Sequence, residues 1–240
     1  MFNQLETLSD EQSEKLQKIR HFLKNLSGVC IAYSGGVDST LVVSLAFEQL
    51  GSKAVAITGV SPALTNTLLE EARRQAKWIG IRHLEIETSE LDQQSYNQNP
   101  KDRCFTCKQE LHKHTTYISE KLNYKIVLDG VNFDDLRDFR PGIEAAKQAG
   151  VISPLAKFEF SKKDIRDISR AFGFPWWDKP AQPCLSSRFP YGHEITNERL
   201  KMVEEAEEYI KKGGIKEVRV RCQGSTARIE IPQDEIKIFF

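Results

Sequence analysis

Residues 33–40, YSGGVDST, constrain this chain more than any other stretch. The apolar run Val29-Cys30-Ile31-Ala32 precedes them and predicts a buried strand; residues 41–47, LVVSLAF, follow and predict a helix. The stretch is therefore a strand-to-helix turn, the place where an open α/β sheet seats its ligand. Gly35 and Gly36 let an anion approach the backbone, and N–H groups at a helix N-terminus favour negative charge. Ser34, Ser39 and Thr40 add hydroxyl donors. Asp38 makes the turn selective, because a carboxylate beside phosphates needs a cation between them; Asp38 reads as a Mg²⁺ ligand. The turn is neither a Walker loop nor G-x-G-x-x-G, and no lysine lies within it.

Composition narrows the class. The 240 residues suffice for one large domain or two small ones, and 34 basic residues balance 34 acidic ones. That balance lacks the global basic field of nucleic-acid binders. No run has the ~18 apolar residues of a membrane span, and the N-terminus has no signal pattern. The expectation is a cytoplasmic protein with no membrane partner, whose five cysteines are reduced thiols or metal ligands.

Along the chain, residues 9–25 predict an amphipathic lead-in helix. Residues 54–58, 82–87, 125–128 and 151–155 predict further strands, alternating with helices over 63–79, from the Cys104–Cys107 pair to about 122, after Arg140, and from Ser161. This is a doubly wound, mainly parallel α/β sheet. Thr58, at the end of the second strand, falls near the base or ribose of a nucleotide. His83 reads as a solvent-face residue. Residues 88–103 read as irregular. Asp129, Gly130 and Asn132, at a strand's C-terminal end beside Asp134 and Asp135, suit ribose hydroxyls or a second Mg²⁺ contact, or else form a solvated turn. After Gly173 three prolines fix an extended path that delivers Cys184; Trp176 and Trp177 pack it on the sheet domain. A charged helix over 196–212 and two strands around residues 222–225 make a small C-terminal α+β appendage. The division is a nucleotide-binding domain over 1–175 and a substrate or oligomerisation region over 176–240, whose last residues, 236–240, are apolar, lack a cap and read as an incomplete element.

Cys30 lies within the first strand and reads as a core residue; Cys222 receives no role. Cys104 and Cys107 form a C-x-x-C between a loop and a helix. By itself this pair is compatible with redox, zinc or purely structural use. Cys184 is a third thiol, and three thiolates can hold a [4Fe–4S] cluster with one iron open.

The loop SGGVDST resembles the pyrophosphate loop of the PP-loop ATP pyrophosphatases, which cleave ATP between the α- and β-phosphates. Together with DGVNFDD at 129–135, PCLSSRFPYG at 183–192, and the VRVR and ARIE strands, it resembles the LarE family of ATP-dependent sulfur transferases, which make the nickel-pincer nucleotide cofactor. The resemblance implies an adenine nucleotide alpha hydrolase-like fold and a homohexamer. The substrate would be a pyridinium biscarboxylic acid mononucleotide, with one carboxylate adenylated and then converted to a thiocarboxylate. It further implies that Ser34, Gly35, Gly36, Val37, Asp38 and Ser39 hold pyrophosphate and that Cys184 stands at the sulfur-bearing position. Arg219 and Arg221 fall where the family binds the substrate's phosphate, and Arg188 joins the cofactor-binding set. Members with one cysteine sacrifice its sulfur and leave dehydroalanine. Cys104 and Cys107 instead match the three-cysteine branch, in which a [4Fe–4S] cluster is held with Cys184. Two rival readings are a PP-loop tRNA thiolase, against which the balanced charge counts, and a non-catalytic nucleotide-binding regulator, which would leave Cys184 and the arginines idle.

Overall fold

The computed structural model describes every residue except Met1, Phe139 and Phe240. Phe240, part of the apolar C-terminal stretch, thus lies outside the described residues. The chain divides into two compact units: Met1–Val60, Asn66–Thr88 and Cys104–Gln182 form the first, and Ser61–Thr65, Ser89–Arg103 and Pro183–Phe240 form the second.

In the first unit the elements run α1 (Asp10–Lys24), β1 (Val29–Ala32), α2 (Val37–Leu50), β2 (Ala54–Val60), α3 (Asn66–Ile79) and β3 (Arg82–Glu87). After a one-turn helix of the second unit, α4 (Gln94–Asn97), come α5 (Arg103–Lys121), β4 (Ile126–Leu128), α6 (Pro141–Gln148), α7 (Pro154–Lys157) and α8 (Lys162–Ala171). Ser9 starts α1 with a capping box to Gln12. The four strands are parallel in the order β3-β2-β1-β4. The chain steps outward from β1 to β3, then returns to the other side of β1. The loops after β1 and β4 consequently diverge at a topological switch point, where such sheets bind ligands.

Side-chain alternation along β1 serves both faces. Val29 and Ile31 join a core built with Leu16, Ile19 and Leu23 of α1 and Leu41, Val42 and Leu45 of α2. Cys30 faces the other way, with Val55, Ile57 and Val127, against Ile118 of α5 and Leu122 just beyond its end. Coverage on both faces explains why β1 is wholly buried and reads as a continuous apolar run. The tryptophan expectation holds for Trp176, which meets Trp78 edge-on at 5.2 Å and lies 5.5 Å from Phe174; Trp177 instead has the Arg170 guanidinium over its ring at 5.3 Å.

Three local expectations are corrected. The strand predicted over 151–155 reduces to a single bridge of Ile152 to Leu128, because Pro154 opens α7 with no N–H to give a ladder. The 88–103 segment is not wholly irregular, since it contains a 3₁₀ turn at Glu90–Asp92 and α4. The Cys104–Cys107 pair lies within α5, as its second and fifth residues, rather than before it.

The second unit carries α9 (Asn197–Lys212), the antiparallel pair β5 (Arg219–Gln223) and β6 (Thr226–Glu230), and α10 (Ile236–Phe239). Gly224 takes φ 62° in the two-residue turn between the strands, where glycine is favoured. Among the described residues no helix is long and apolar enough to cross a membrane.

Candidate active site

The first unit builds the loop from buried anchors. Leaving β1, Tyr33 is buried and its hydroxyl donates to Gln75 Oε1 at 3.0 Å, while burial pushes the phenol's pKa up. Thr58 donates its hydroxyl to the Tyr33 carbonyl at 2.8 Å. With that proton committed, His83 Nε2, also 2.8 Å from Thr58 Oγ1, is the donor of the second bond. Thr58 is thus a buried brace beneath the loop. His83 is half-buried against the Tyr33 ring, not solvent-facing, and desolvation lowers its pKa.

Gly35 has φ 69°, and a Cβ there would stand 3.1 Å from Ala72 Cβ, so the position requires glycine. Gly36 caps α2 and gives its first-turn N–H groups no side-chain bond. Ser39 donates to the Gly36 carbonyl at 3.2 Å, and Thr40 does the same at 2.8 Å. Thr40 is fully buried, so its hydroxyl shapes the turn rather than facing a ligand. Ser34 is exposed.

The loop after β4 packs directly on this turn. A Cβ on Gly130 would lie 2.7 Å from Ser39 N, so the approach of backbone to backbone depends on glycine. Two residues on, Asn132 donates to Asp38 Oδ1 at 3.2 Å. Asn132 is itself oriented by reciprocal bonds with Asp135: its N–H donates to Asp135 Oδ2, and its Oδ1 accepts from Asp135 N–H. Asp129 is buried, and its Oδ1 accepts the Val131 N–H at 3.2 Å. Desolvation pushes the Asp129 carboxyl's pKa up.

Two cations reach the loop from far along the chain. Lys162 Nζ pairs with Asp38 Oδ2 at 2.6 Å, and Lys179 Nζ donates to the Gly35 carbonyl at 3.2 Å and pairs with Glu71. Neither was found by sequence reading, which took Lys162 for part of a helix start and Lys179 for part of a proline track. The available signal was a deficit: a phosphate loop without its own lysine must take positive charge from elsewhere.

Cys104 and Cys107, three apart on α5, share a helix face, the first exposed and the second half-buried. Cys184 is exposed, whereas Cys30 and Cys222 are buried, and all five are free of disulfides. Burial pushes the Cys30 thiol up to about 11, as suits an inert core residue. The solvent-accessible thiols are therefore the three expected as ligands. They belong to different units, and within neither unit do the described residues bring three His, Cys, Asp or Glu side chains together to hold a metal ion.

In the second unit Cys184 precedes a 3₁₀ turn, Leu185–Arg188. Leu185 N–H bonds to Ala63 O, and the Ser186 and Tyr96 hydroxyls meet at 2.6 Å. Arg188 is 7% exposed and turned inward, pairing with Glu207. Arg219 and Arg221 share one half-buried face of β5, opposite buried Val220 and Cys222. Arg221 pairs with Glu230 at 2.8 Å and donates to Ser187 O at 3.0 Å; the pairing lowers the Glu230 carboxyl's pKa.

A scan of family models finds no match to this chain. Curated relatives do match. An uncharacterized protein of Synechocystis is 53% identical over 94% of this chain and 84% of its own length. An uncharacterized protein of Methanocaldococcus jannaschii is 34% identical over 94% of this chain and 87% of its own. The pyridinium-3,5-bisthiocarboxylic acid mononucleotide synthase of Lactiplantibacillus plantarum is 34% identical over 90% of this chain and 79% of its own. Identity of that level across nearly the whole chain, on a parallel α/β unit with the loop at its switch point, places the protein in the LarE family.

Proposed function

We propose that this protein is an ATP-dependent sulfur transferase. It would adenylate a carboxylate of a pyridinium biscarboxylic acid mononucleotide and convert it to a thiocarboxylate for the nickel-pincer cofactor. The observation that carries the reading is the 34% identity to the Lactiplantibacillus plantarum synthase over 90% of the chain. The loop geometry supports the first half-reaction. A substrate carboxylate oxygen attacks the α-phosphorus of ATP, pyrophosphate leaves, and an acyl adenylate forms. Ser34, Ser39 and the backbone of Gly35, Gly36 and Val37 would hold pyrophosphate at the N-terminus of α2. Asp38 fits a Mg²⁺ role, being partly exposed, fixed on one oxygen by Asn132 and on the other by a displaceable ammonium. When phosphates enter with Mg²⁺, Lys162 would exchange its carboxylate partner for a phosphate oxygen.

In the second half-reaction a sulfur nucleophile attacks the acyl carbon and AMP leaves. Arg219 and Arg221 would grip the substrate's phosphate, a task suited to guanidinium forks. Cys104, Cys107 and Cys184 fit a [4Fe–4S] cluster by donor chemistry, as the accessible thiols of the chain. These three thiolates would hold the cluster, which when bound would carry sulfide taken up from solution as the nucleophile, so that Cys184 would remain a ligand and not be consumed. The protein would work in the cytoplasm as a homo-oligomer, a hexamer by its family.

Anaerobically reconstituted protein is tested with ATP, the pyridinium nucleotide and sulfide. The expected result is iron and labile sulfide on the protein, equal AMP, pyrophosphate and thiocarboxylate, many turnovers, and Cys184 of unchanged mass. Protein that binds no iron and converts Cys184 to dehydroalanine in one turnover would rule out the cluster. Turnover that responds to RNA and ignores the nucleotide would overturn the substrate.

A further inference from the structure

Within the second unit, Arg188 and Glu207 form an ion pair whose side chains are only 7% and 4% exposed. The contact is two-pronged, Nε to Oε1 at 2.8 Å and Nη2 to Oε2 at 3.1 Å. The third guanidinium nitrogen, Nη1, donates to Pro183 O at 2.7 Å, with Cys184 O and Ser187 Oγ at 3.3 and 3.1 Å. Arg188 thereby holds the carbonyls of the two peptide bonds that flank Cys184, those of Pro183 and of Cys184 itself. Glu207, on α9, accepts in addition the Val220 N–H at 3.0 Å. Val220 lies between Arg219 and Arg221 on β5, and Arg221 reaches back to Ser187 O in the Cys184 turn. One buried carboxylate thus joins the thiol-bearing turn to the arginine strand.

We propose that Arg188 and Glu207 are positioning residues, which fix the Cys184 thiol relative to the Arg219–Arg221 face. On this assignment Arg188 does not contact the cofactor. Burial argues for it: every Arg188 nitrogen is spent inside the unit, and a buried ion pair is a poor source of stability compared with apolar residues of similar volume. What it supplies is register between two segments. The role rests on the sulfur-transfer reading above, since it matters where a thiol and a phosphate grip must act on one substrate.

The test compares Glu207→Gln, Arg188→Met and the double variant Arg188→Met/Glu207→Leu. Breaking one partner leaves a buried charge, so Arg188→Met should lose the most stability, while the double variant, free of that charge but with the Val220 N–H unpaired, should recover part of the loss. Two readouts follow. Hydrogen exchange should rise in residues 184–189 and 218–222 of the double variant but not in the sheet unit. AMP should still form while thiocarboxylate falls by about 100-fold, the scale of a misplaced reacting group. Recovery of wild-type exchange and of the thiocarboxylate-to-AMP ratio along with melting temperature would overturn the proposal, because the pair would then be structural only. Should the double variant not fold, Glu207→Gln keeps the volume and an acceptor for Val220, and the same two outcomes decide. The exchange readout needs no substrate. A wild-type protein that forms no thiocarboxylate therefore overturns the proposed function and not the positioning.

Discussion

Gly130→Ala tests the geometry of the nucleotide loop most directly. Its φ is not left-handed, so alanine meets no backbone strain there, and the whole effect comes from contact. The added Cβ would stand 2.7 Å from Ser39 N, 2.8 Å from Ser39 Cα and 3.0 Å from Ser39 Cβ, where ordinary contact begins at 3.4 Å. Two of these atoms are backbone in the first turn of α2, which cannot rotate away. Relief needs a displacement of about 0.7 Å between the two loops, given that contact distance. Misplacing a reacting group by about 1 Å costs on the order of 100-fold, so a loss of about 30-fold in pyrophosphate release is expected. That is about 2 kcal/mol, within the ~1–3 kcal/mol usual for overpacking. The assay is ATP- and substrate-dependent pyrophosphate release, with ATP affinity and a thermal melt on the same preparation. Wild-type rate, affinity and melting temperature together would refute the close approach. A lowered melting temperature with full activity would show that the strain is relieved away from the phosphate loop.

Asp38→Asn is expected to abolish pyrophosphate release while leaving the fold intact, and Lys162→Met to slow it by about 10- to 150-fold, the value of a charge-assisted contact of ~1.5–3 kcal/mol. Unaltered kinetics in either folded variant would remove that residue from the phosphate site. Arg219→Ala and Arg221→Ala should weaken the pyridinium nucleotide more than ATP, and Arg221→Ala should also lower stability, since Glu230 and Ser187 O lose their donor. Equal losses for both ligands would assign the pair to the ATP site or the fold. His112 is fully buried, both its ring nitrogens lack a hydrogen-bond partner among the described residues, and burial pushes its pKa down to about 3. The unfolded chain takes up that proton below the ordinary 6.5 while the folded one does not, so stability should fall with acidification from 6.5 towards 3. The slope is up to ~1.4 kcal/mol per pH unit. Denaturant titrations at pH 7 and pH 5 should show it in wild type and lose it in His112→Leu; an unchanged slope in the variant would refute it.

The sequence determined the local architecture of the first unit. Continuous apolar runs such as Val29–Ala32 become strands only when both faces are covered, and Gly35 and Gly36 at a strand-to-helix turn admit few other uses. Cys30 was legible as a core residue, because it alternates within a buried strand, whereas the burial of Cys222 and the exposure of Cys104 and Cys184 appear only in the structure. Local pattern fails where a residue's work depends on a partner distant in sequence. Lys162 meets Asp38 across 124 positions, Lys179 meets Gly35 across 144, and His83 becomes a brace only because β3 lies beside β2. Arg188 shows the same limit. The family resemblance put it in the cofactor-binding set, and only the folded chain shows that its guanidinium pairs with Glu207 of α9. Charge on a linear chain says what a residue can bind, but burial and the nearest opposite charge, which only folding brings together, decide what it does bind.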